Sequence, residues 1–299
     1  MRIFLTGATG LIGRPLAAEL QQSGHAVVAL TRRPEGARGL APGVEVVQGD
    51  PALPGRWQEV LAGCDACIHL AGEPVAAARW TPQRKAAIER SRVESTRRVV
   101  EVVAAGGPRV LVCGSAVGFY GSRADEPLDE AAARGQGFLA DVCVRWEAAA
   151  APAAARARVA LVRTGIVLAR DGGALPRMVL PFKLMAGGAL GDGTAWQPWI
   201  HLADEVALLR FALVDERVRG PLNGAAPHPA RSRDLAGALG RVLRRPSFFP
   251  TPAVALRLLL GEMAEVVLAS QRVLPKMAVD LGFEFRFPEL EPALRDLLG

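Results

Sequence analysis

The chain has 299 residues, half of them hydrophobic, which is enough to bury the core of one main domain and a smaller second one. Its formal net charge is +6, but the charge is scattered and only 5% of the residues are aromatic, which argues against nucleic acid as a partner. This pattern favours an arginine-rich solvated surface, and any anionic ligand is expected to be a small phosphate-bearing molecule.

No segment predicts export or insertion into a membrane. The first apolar run reaches a glycine turn after six residues, too soon for the core of a signal peptide. The most apolar window, residues 252–270, carries Arg257, Glu262 and Glu265. We therefore expect a cytoplasmic protein with no membrane partner. Cys64 and Cys67 have the spacing of redox and zinc sites, but no second pair follows, so we expect structural thiols and no metal.

Apolar runs alternate with helical patterns through the first half of the chain. The sequence predicts strands at residues 2–7, 25–33, 44–50, 65–72, 108–116 and 157–168, and helices at 11–24 and 82–105. The strands are continuously apolar, as expected when helices cover both faces of a sheet. We therefore predict an α/β fold, a doubly wound parallel Rossmann-like sheet with a smaller, mainly helical C-terminal domain.

The pattern becomes looser after residue 168, where glycine and proline surround a short helix. From about residue 224 onwards the chain is mainly helical and is punctuated by proline. We predict a main domain at residues 1–224, with residues 171–195 contributing to a substrate crevice, and a substrate-side domain at residues 225–299. The helix at 82–105 is a candidate surface for a homodimer.

A glycine-rich turn joins the first strand to the first helix. In FLTGATGLIG, Gly7 permits a tight turn, Gly10 lets the backbone approach a pyrophosphate, and Gly13 allows close packing of the helix on the strand. The helix N-terminus supplies free N–H groups and a positive dipole end. Because the turn lies within a strand–helix–strand unit, it predicts a dinucleotide site. Further contacts are expected from Thr9, Leu11 and Ile12.

The end of the second strand decides which dinucleotide is preferred. An acid there would hold a ribose 2′-hydroxyl, whereas arginine accommodates a 2′-phosphate. This chain has Thr31, Arg32 and Arg33 at that end, and we expect no carboxylate nearby to oppose them. The sequence therefore predicts NADP(H) in preference to NAD(H). Asp50, after the third strand, has two interpretations: a contact to the adenine amino group, or a turn residue.

The motifs HLAG at the fourth strand and SAVGFYG after the fifth, together with the glycine loop, resemble the extended short-chain dehydrogenase/reductases. LAGEP, FLADVCVRWE, RTGIVL, WIHLAD and GEMAE resemble the NAD-dependent epimerase/dehydratase family, in its sugar-nucleotide epimerase-like branch with a C-terminal domain of unknown function. The resemblance covers essentially the whole chain. It implies a Rossmann-like epimerase domain with cofactor contacts at Leu70, Ala71, Gly72, Arg92 and Val167. Arg92 has a second interpretation as a solvated helix arginine.

Ordinary members of this superfamily use a tyrosine whose pKa is lowered by a lysine one helical turn later. Alignment of Glu147 with the usual glutamate of that helix puts Cys143 at the lysine position and Leu139 at the tyrosine position. The one tyrosine in the sequence, Tyr120, is followed four residues later by Ala124. The usual Tyr-x-x-x-Lys pair is therefore absent from this sequence.

Other groups are candidates for the remaining chemistry. Ser115, at the end of the fifth strand, is placed to orient a substrate oxygen, although in some relatives this hydroxyl lies one residue later, where this chain has Ala116. Tyr120 and Cys143 are further catalytic candidates. Replacement acid–base groups are also sought in Glu73 and His201, and each of these has a purely structural alternative.

The substrate is predicted to be a small molecule. Glu73, Trp80 and Trp199 are expected to flank its crevice.

Two functional hypotheses follow. The first is an NADP(H)-dependent oxidoreductase or epimerase acting on a small polar substrate, with a nucleotide sugar suggested by analogy alone. The second is a catalytically silent NADP(H)-binding redox sensor or scaffold linked to cell division. The missing pair favours the second hypothesis, while an intact glycine loop fits both.

Overall fold

The apolar runs of the sequence become strands buried on both faces. The structure is a computed structural model, and it describes the backbone of residues 1–299 and every side chain except that of residue 36. Its strands are β1 (Arg2–Thr6), β2 (Ala26–Thr31), β3 (Glu45–Gln48), β4 (Ala66–His69), β5 (Val110–Ala116), β6 (Pro127–Leu128), β7 (Arg158–Thr164), β8 (Ile166–Ala169), β9 (Gly172–Gly173), β10 (Trp196–Gln197), β11 (Trp199–His201), β12 (Gly220–Gly224), β13 (Ala230–Arg231) and β14 (Arg272–Val273).

The helices lie between these strands and dominate the last quarter of the chain. The α-helices are α1 (Gly13–Gln22), α2 (Trp57–Ala62), α3 (Pro82–Ala104), α4 (Phe138–Ala150), α5 (Leu175–Lys183), α6 (Leu202–Val214), α7 (Ser232–Leu243), α8 (Ala253–Leu260), α9 (Glu265–Leu268), α10 (Lys276–Asp280) and α11 (Leu290–Leu298). Short 3₁₀ helices occupy Pro34–Gly39, Val117–Tyr120, Ala151–Ala155 and Gly261–Ala264. None of the helices in the described part of the chain has the length and apolarity needed to cross a membrane.

The main sheet has the strand order β12-β7-β5-β4-β1-β2-β3, and its paired strands are parallel. Consecutive strand side chains alternate between the two faces: Ile3 and Leu5 join the core beneath α1 and α6, whereas Phe4 joins the core beneath α2, α3 and α4. The order reverses between β1 and β4, where a crevice forms at the carboxyl edge. This confirms the predicted α/β, doubly wound Rossmann-like fold with a mainly helical C-terminal region.

The sixth predicted strand is divided in two. The expected run at 157–168 breaks at Gly165, where a Cβ would lie 2.2 Å from the Pro198 carbonyl oxygen, so only glycine fits. The Ile166 N–H donates to that same oxygen at 2.6 Å. As a result β8 leaves the main sheet and pairs with β11 and β9. The break places the residues after β7 beside the crevice.

The C-terminal region is attached to the rest of the chain at several points. β14 pairs with β6, and α7 packs against both α5 and α11. The Asp204 carboxylate in the first turn of α6 accepts the N–H groups of Arg286 and Phe287 at 2.8 and 2.9 Å. These contacts hold residues 257–271 over the carboxyl edge of the sheet, where they close the crevice into a cavity.

Candidate cofactor and active site

A cavity of about 730 Å³ lies at the carboxyl edge of the sheet. The ends of β5 and β7 form its floor, α4 forms one side, and residues 257–271 cover it. Its lining residues include Ala116, Leu139, Cys143, Thr164, Gln197 and Gln271. The glycine loop lies outside these walls, so the cavity is a candidate substrate pocket beside a separate candidate dinucleotide loop.

The glycine loop leaves space for a ligand only at Gly10. Gly7 has φ +74°, and a Cβ there would lie 2.9 Å from the Leu70 carbonyl carbon. At Gly13 a Cβ would lie 2.1 Å from the Gly7 carbonyl oxygen. Gly10 is exposed, and a Cβ there meets only that same oxygen, at 3.2 Å. Two glycines therefore allow the turn and the helix packing, and the third keeps the outer surface of the loop open.

The start of α1 carries no acidic side chain in its first turn, so its N–H groups and positive dipole end are not neutralised locally. Leu11 packs against the hairpin formed by β8 and β9, where a Cβ on Gly172 or Gly173 would lie 2.9 Å from its methyl groups. Ile12 and Leu11 both pack against the core beneath α1. The loop is thus held in place from behind, and its outer surface stays open at Gly10.

A buried polar network fixes the loop after β4. The Thr6 hydroxyl oxygen accepts the N–H groups of Leu70 and Ala71, each at 3.1 Å, and lies 2.7 Å from His69 Nδ1. Burial lowers the pKa of His69 to about 4, so the ring is neutral. Because Thr6 donates its one proton to Nδ1, Nε2–H donates to the Ser95 hydroxyl at 3.0 Å. This network was not predicted from the sequence.

Arg32 lies at the end of β2 with its side chain 64% exposed. Contrary to the expectation from sequence, a carboxylate lies near it: Glu73 Oε1 is 3.4 Å from Arg32 Nη2. The other oxygen of Glu73 accepts from Arg84 Nη1 at 3.2 Å. Glu73 therefore pairs with two arginines at the rim, and it is not among the residues that line the cavity. The exposed pair with Arg32 is a weak one.

The other polar residues of this region form local turns. The Thr31 hydroxyl oxygen accepts the Arg33 N–H at 3.2 Å. Asp50 Oδ1 accepts the Ala52 N–H at 2.9 Å, which is the turn interpretation of that residue. Arg33 is exposed, as Arg32 is.

Arg92 lines the cavity and is not a solvated helix arginine. Its Nη1 donates to the carbonyl oxygens of Glu73 and Ile88 at 3.0 and 3.1 Å, and its guanidinium lies 5.2 Å from the centre of the Trp146 ring. Burial lowers its pKa. At Gly72 a Cβ would lie 3.2 Å from the Arg92 Cζ, so the glycine allows the guanidinium to lie against the loop.

Comparison with known proteins identifies the family. A sequence model of the NAD dependent epimerase/dehydratase family matches residues 3–223. The chain belongs to this family. A second model, the domain of unknown function DUF1731, matches residues 251–297, which include residues 257–271 that cover the cavity. The predicted family resemblance is therefore confirmed.

Individual relatives match along the whole chain. The epimerase family protein SDR39U1 homolog, chloroplastic, of Arabidopsis thaliana is 42% identical, covering 100% of this chain and 87% of that protein. The crystal structure of the human epimerase family protein SDR39U1 (isoform2) with NADPH is 32% identical, with a TM-score of 0.88 and coverage of 100% and 99%. The nucleoside-diphosphate sugar epimerase from Corynebacterium glutamicum is 35% identical, with a TM-score of 0.81 and coverage of 100% and 58%.

The Ser115 side chain points away from the cavity. Its hydroxyl donates to Glu147 Oε1 at 2.6 Å, and it is not among the residues that line the cavity. Arg163, its register partner on β7, donates to both oxygens of Glu147 at 2.8 Å. The next residue, Ala116, does line the cavity. The expectation that the Ser115 hydroxyl faces a substrate does not hold. Consecutive residues of β5 face opposite sides, and it is Ala116 that presents its methyl group to the cavity.

Tyr120 also points away from the cavity. It is fully buried, its hydroxyl donates to Asn223 Oδ1 at 2.7 Å, and that hydroxyl accepts from Arg163 Nη1 at 3.0 Å. Burial raises its pKa. Cys143 does line the cavity, but burial raises the pKa of its thiol to about 12, so it is neutral at physiological pH. Neither residue provides a base toward a substrate.

The two tryptophans expected at the crevice belong to apolar clusters. Trp80 packs with Phe138 and Met263, and its Nε1 donates to the Val75 carbonyl oxygen at 3.0 Å. Trp199 is 1% exposed and lies in the core between α5 and α7, which corrects its predicted place at the crevice. Trp80 supports the cavity wall from behind.

Val167 and His201 lie on the strands of the small sheet. Val167 is buried in β8 against the core beneath α1, on the same side as the glycine loop. His201 Nδ1 accepts the Ala203 N–H at 3.0 Å and caps α6, while its Nε2 lies 3.3 Å from Asp296 Oδ2. His201 therefore anchors a helix, which is the structural interpretation of that residue.

A pair of residues not predicted from the sequence lies at the floor of the cavity. Thr164, at the end of β7, lines the cavity, and its hydroxyl donates to Glu205 Oε1 at 2.7 Å. Glu205 is fully buried in α6, and burial raises its pKa to about 7. Its helical spacing with Leu208, Leu209 and Ala212, which share the buried face, was the available signal.

The raised pKa of Glu205 predicts a pH-dependent stability. The folded protein holds this proton up to about pH 7, whereas the unfolded chain releases it near the ordinary value of 4.5, so the group destabilises the folded state progressively as pH rises through that window. The unfolding free energy of the unmodified protein should therefore fall between pH 4 and pH 8. In Glu205→Gln this fall should be smaller by about 3 kcal/mol. Urea unfolding at both pH values measures this.

The control for that experiment is Glu216→Gln, which changes an exposed carboxylate. It should leave the pH dependence of the unfolding free energy as in the unmodified protein. The same pH dependence in Glu205→Gln and the unmodified protein would contradict the assignment of a buried, proton-holding carboxyl at this position.

Proposed function

We propose that the protein is an NADP(H)-binding oxidoreductase or epimerase of the short-chain dehydrogenase/reductase type that acts on a small polar substrate. The observation that carries this proposal is the glycine loop, where Gly7 and Gly13 permit the turn and Gly10 leaves an open surface at the N-terminus of α1. The human relative with NADPH in its crystal structure supports the choice of cofactor.

The residues present fit a dinucleotide. The loop from Gly7 to Gly13 would hold the pyrophosphate, and the segment at Leu70 and Ala71, which Thr6 fixes, would contact the adenosine side. Arg32 would receive a 2′-phosphate after exchanging its partner Glu73, and an exposed ion pair at 3.4 Å costs little to open. A bound nicotinamide would supply the carbon that exchanges a hydride with the substrate.

Arg32→Ala tests the choice between the two dinucleotides. Loss of a charge-assisted contact to the 2′-phosphate should weaken NADPH binding by about 10- to 100-fold, while NADH, which lacks that phosphate, should bind as before. Isothermal titration calorimetry measures both affinities. As a control, Arg97→Ala removes an exposed arginine of α3 that pairs with Glu94. Equal losses for both dinucleotides would argue against this role for Arg32.

The cavity supports a small polar substrate. Ser122, Gln136, Gln197 and Gln271 line it together with many apolar groups. Gln271 Nε2 donates to the carbonyl oxygens of Val117 and Gly121, which leaves its amide oxygen as an acceptor. Amide groups pair with hydroxyl and carbonyl groups, such as those of a sugar. A nucleotide sugar is the finer proposal, and it rests on the family and on the Corynebacterium relative.

A second candidate function is a catalytically silent NADP(H)-binding sensor or scaffold. It is favoured by the side chains at the two usual catalytic positions on α4, Leu139 and Cys143, which both line the cavity and are both uncharged. Nicotinamide absorbance with candidate hydroxyl and carbonyl metabolites separates the two functions. Binding of NADPH without turnover of any compound would favour the silent protein.

A further inference from the structure

The end of β7 offers a proton-transfer group in place of the missing tyrosine and lysine. We propose that Thr164 exchanges a proton with a substrate oxygen in the cavity and passes it to Glu205, so that these two residues form a proton relay. The inference rests on the proposed function, because it requires a substrate that is oxidised or reduced in this cavity. Thr164 would be the catalytic residue, and Glu205 would act through it.

The placement of Thr164 is the first argument. It is the register partner of Ala116 on the neighbouring strand β5, so the two side chains share a face about 5 Å apart, and both line the cavity. Ala116 contributes a methyl group, and Ser115 lies on the opposite face with Glu147. The Thr164 hydroxyl is therefore the polar side-chain group that these two strand ends offer to the cavity.

The state of Glu205 is the second argument. Its Oε1 accepts from Thr164, and its Oε2 has no hydrogen-bond partner among the residues that the structure describes. A Cβ at Gly224 would lie 2.6 Å from that oxygen, so a glycine leaves space for the carboxyl. A buried carboxyl with an unsatisfied oxygen destabilises the fold, and such groups are frequent at functional sites.

The proton affinity of Glu205 is suited to the proposed role. Burial raises its pKa to about 7, and the Thr164 hydrogen bond opposes that rise. General acid–base groups work best when their pKa is near the working pH. The charged groups on the elements packed around α6 are engaged elsewhere: Glu19 of α1 with Arg210, Arg163 of β7 with Glu147, His201 with Asp296, and Asp204 with the backbone of residues 286 and 287.

The proton and electron transfers of the relay balance for oxidation of an alcohol. The substrate O–H bond breaks, its proton passes to Thr164 Oγ1, and the proton of the Thr164 hydroxyl passes to the Glu205 carboxylate. A bound oxidised nicotinamide would supply the acceptor for the hydride, so that the carbinol carbon would become a carbonyl carbon. Reduction follows the same path in reverse, with Glu205 starting protonated. Each direction moves one proton between substrate and Glu205.

The first test titrates the carboxyl in the protein without cofactor. The infrared difference between the unmodified protein and Glu205→Gln should contain the carbonyl stretch of a protonated carboxyl, which disappears with a midpoint near pH 7. Thr164→Val should move that midpoint to higher pH, because it removes the hydrogen bond that stabilises the carboxylate, and Thr164→Ser should restore it. A midpoint unchanged in Thr164→Val would overturn the coupling between the two residues.

The second test asks whether the pair faces the nicotinamide. The positive ring of NADP⁺ should favour the Glu205 carboxylate, so binding at pH 7 should release a fraction of a proton. Calorimetry in two buffers of different ionisation enthalpy measures that number, and Glu205→Gln should lower it to the part that the 2′-phosphate contributes. NADP⁺ binding with equal proton release in both proteins would overturn the relay alone. Absence of NADP⁺ binding would overturn the proposed function and the relay with it.

Discussion

Replacement of Gly10 by valine is expected to abolish binding of NADPH and NADH while the protein remains folded. The Gly10 Cα faces outward, and a Cβ there meets one atom, the Gly7 carbonyl oxygen, at 3.2 Å. The branched side chain would fill the space in which a pyrophosphate contacts the N–H groups at the start of α1. Both dinucleotides share that pyrophosphate, so both should be lost. Calorimetry measures the binding of each dinucleotide, and circular dichroism measures whether the variant is folded.

Substitutions at two other glycines serve as controls for this prediction. Gly63 ends α2, is exposed, and has only distant neighbours for a Cβ, at 3.6 and 3.7 Å, so Gly63→Val should bind both dinucleotides normally. Gly13→Val should instead damage folding, because its Cβ would lie 2.1 Å from the Gly7 carbonyl oxygen. A folded Gly10→Val protein that still binds NADPH would show that this loop does not hold the phosphates.

The elements that could be predicted from sequence are those defined by local pattern. Residues 82–105 were expected to be a helix, and α3 occupies Pro82–Ala104. The residues that start this helix are neighbours in the sequence. The Thr81 hydroxyl oxygen accepts the Arg84 N–H at 3.1 Å, and Pro82 occupies the first helical position. β1, β2, β4 and β5 likewise lie within their predicted runs, because continuous apolar segments between glycine turns have few alternatives.

β12 could not be predicted in the same way. Its sequence, GPLNG, contains two glycines and a proline, which are poor strand formers. It becomes a strand because it pairs with β7 along five register positions, from Gly220 with Ala160 to Gly224 with Thr164. That pairing depends on residues about 60 positions apart, and no local pattern in the segment encodes it.

The candidate site was predicted less well than the fold because it depends on strand faces and distant partners. Ser115 and Ala116 are consecutive, and a one-residue difference along a strand reverses the face. Which of them faces the cavity follows from the position of Glu147, 32 residues later. Arg32 meets Glu73 across 41 residues, a contact made by two loops.

Removal of Glu147 is expected to cause the largest loss of stability among the substitutions that remove a charged side chain. Glu147 and Arg163 form an ion pair whose side chains are 12% and 5% exposed, with two hydrogen bonds at 2.8 Å. Glu147→Met would leave the guanidinium buried and unpaired, which costs about 3–5 kcal/mol. For a chain of this size, that loss should lower Tm by roughly 5–8 °C.

The matched control is an exposed pair of the same chemistry. Glu94→Met removes the partner of Arg97 on α3, where the side chains are 39% and 59% exposed, and it should change the unfolding free energy by less than about 1 kcal/mol. The double variant Glu147→Met/Arg163→Met should be more stable than Glu147→Met alone, because it removes the unpaired charge. Urea unfolding and calorimetric Tm measure all three proteins.

The effect of Glu147→Met should extend beyond α4. Arg163 also donates to the Tyr120 hydroxyl, and Tyr120 donates to Asn223, whose amide holds the carbonyl oxygens of Leu128 and Leu274. This chain of contacts joins the sheet to β14, which follows the segment that covers the cavity. Hydrogen exchange in residues 270–277 should therefore accelerate in Glu147→Met and not in Glu94→Met. Equal exchange in the two variants would mean that the buried pair stabilises α4 and the sheet alone.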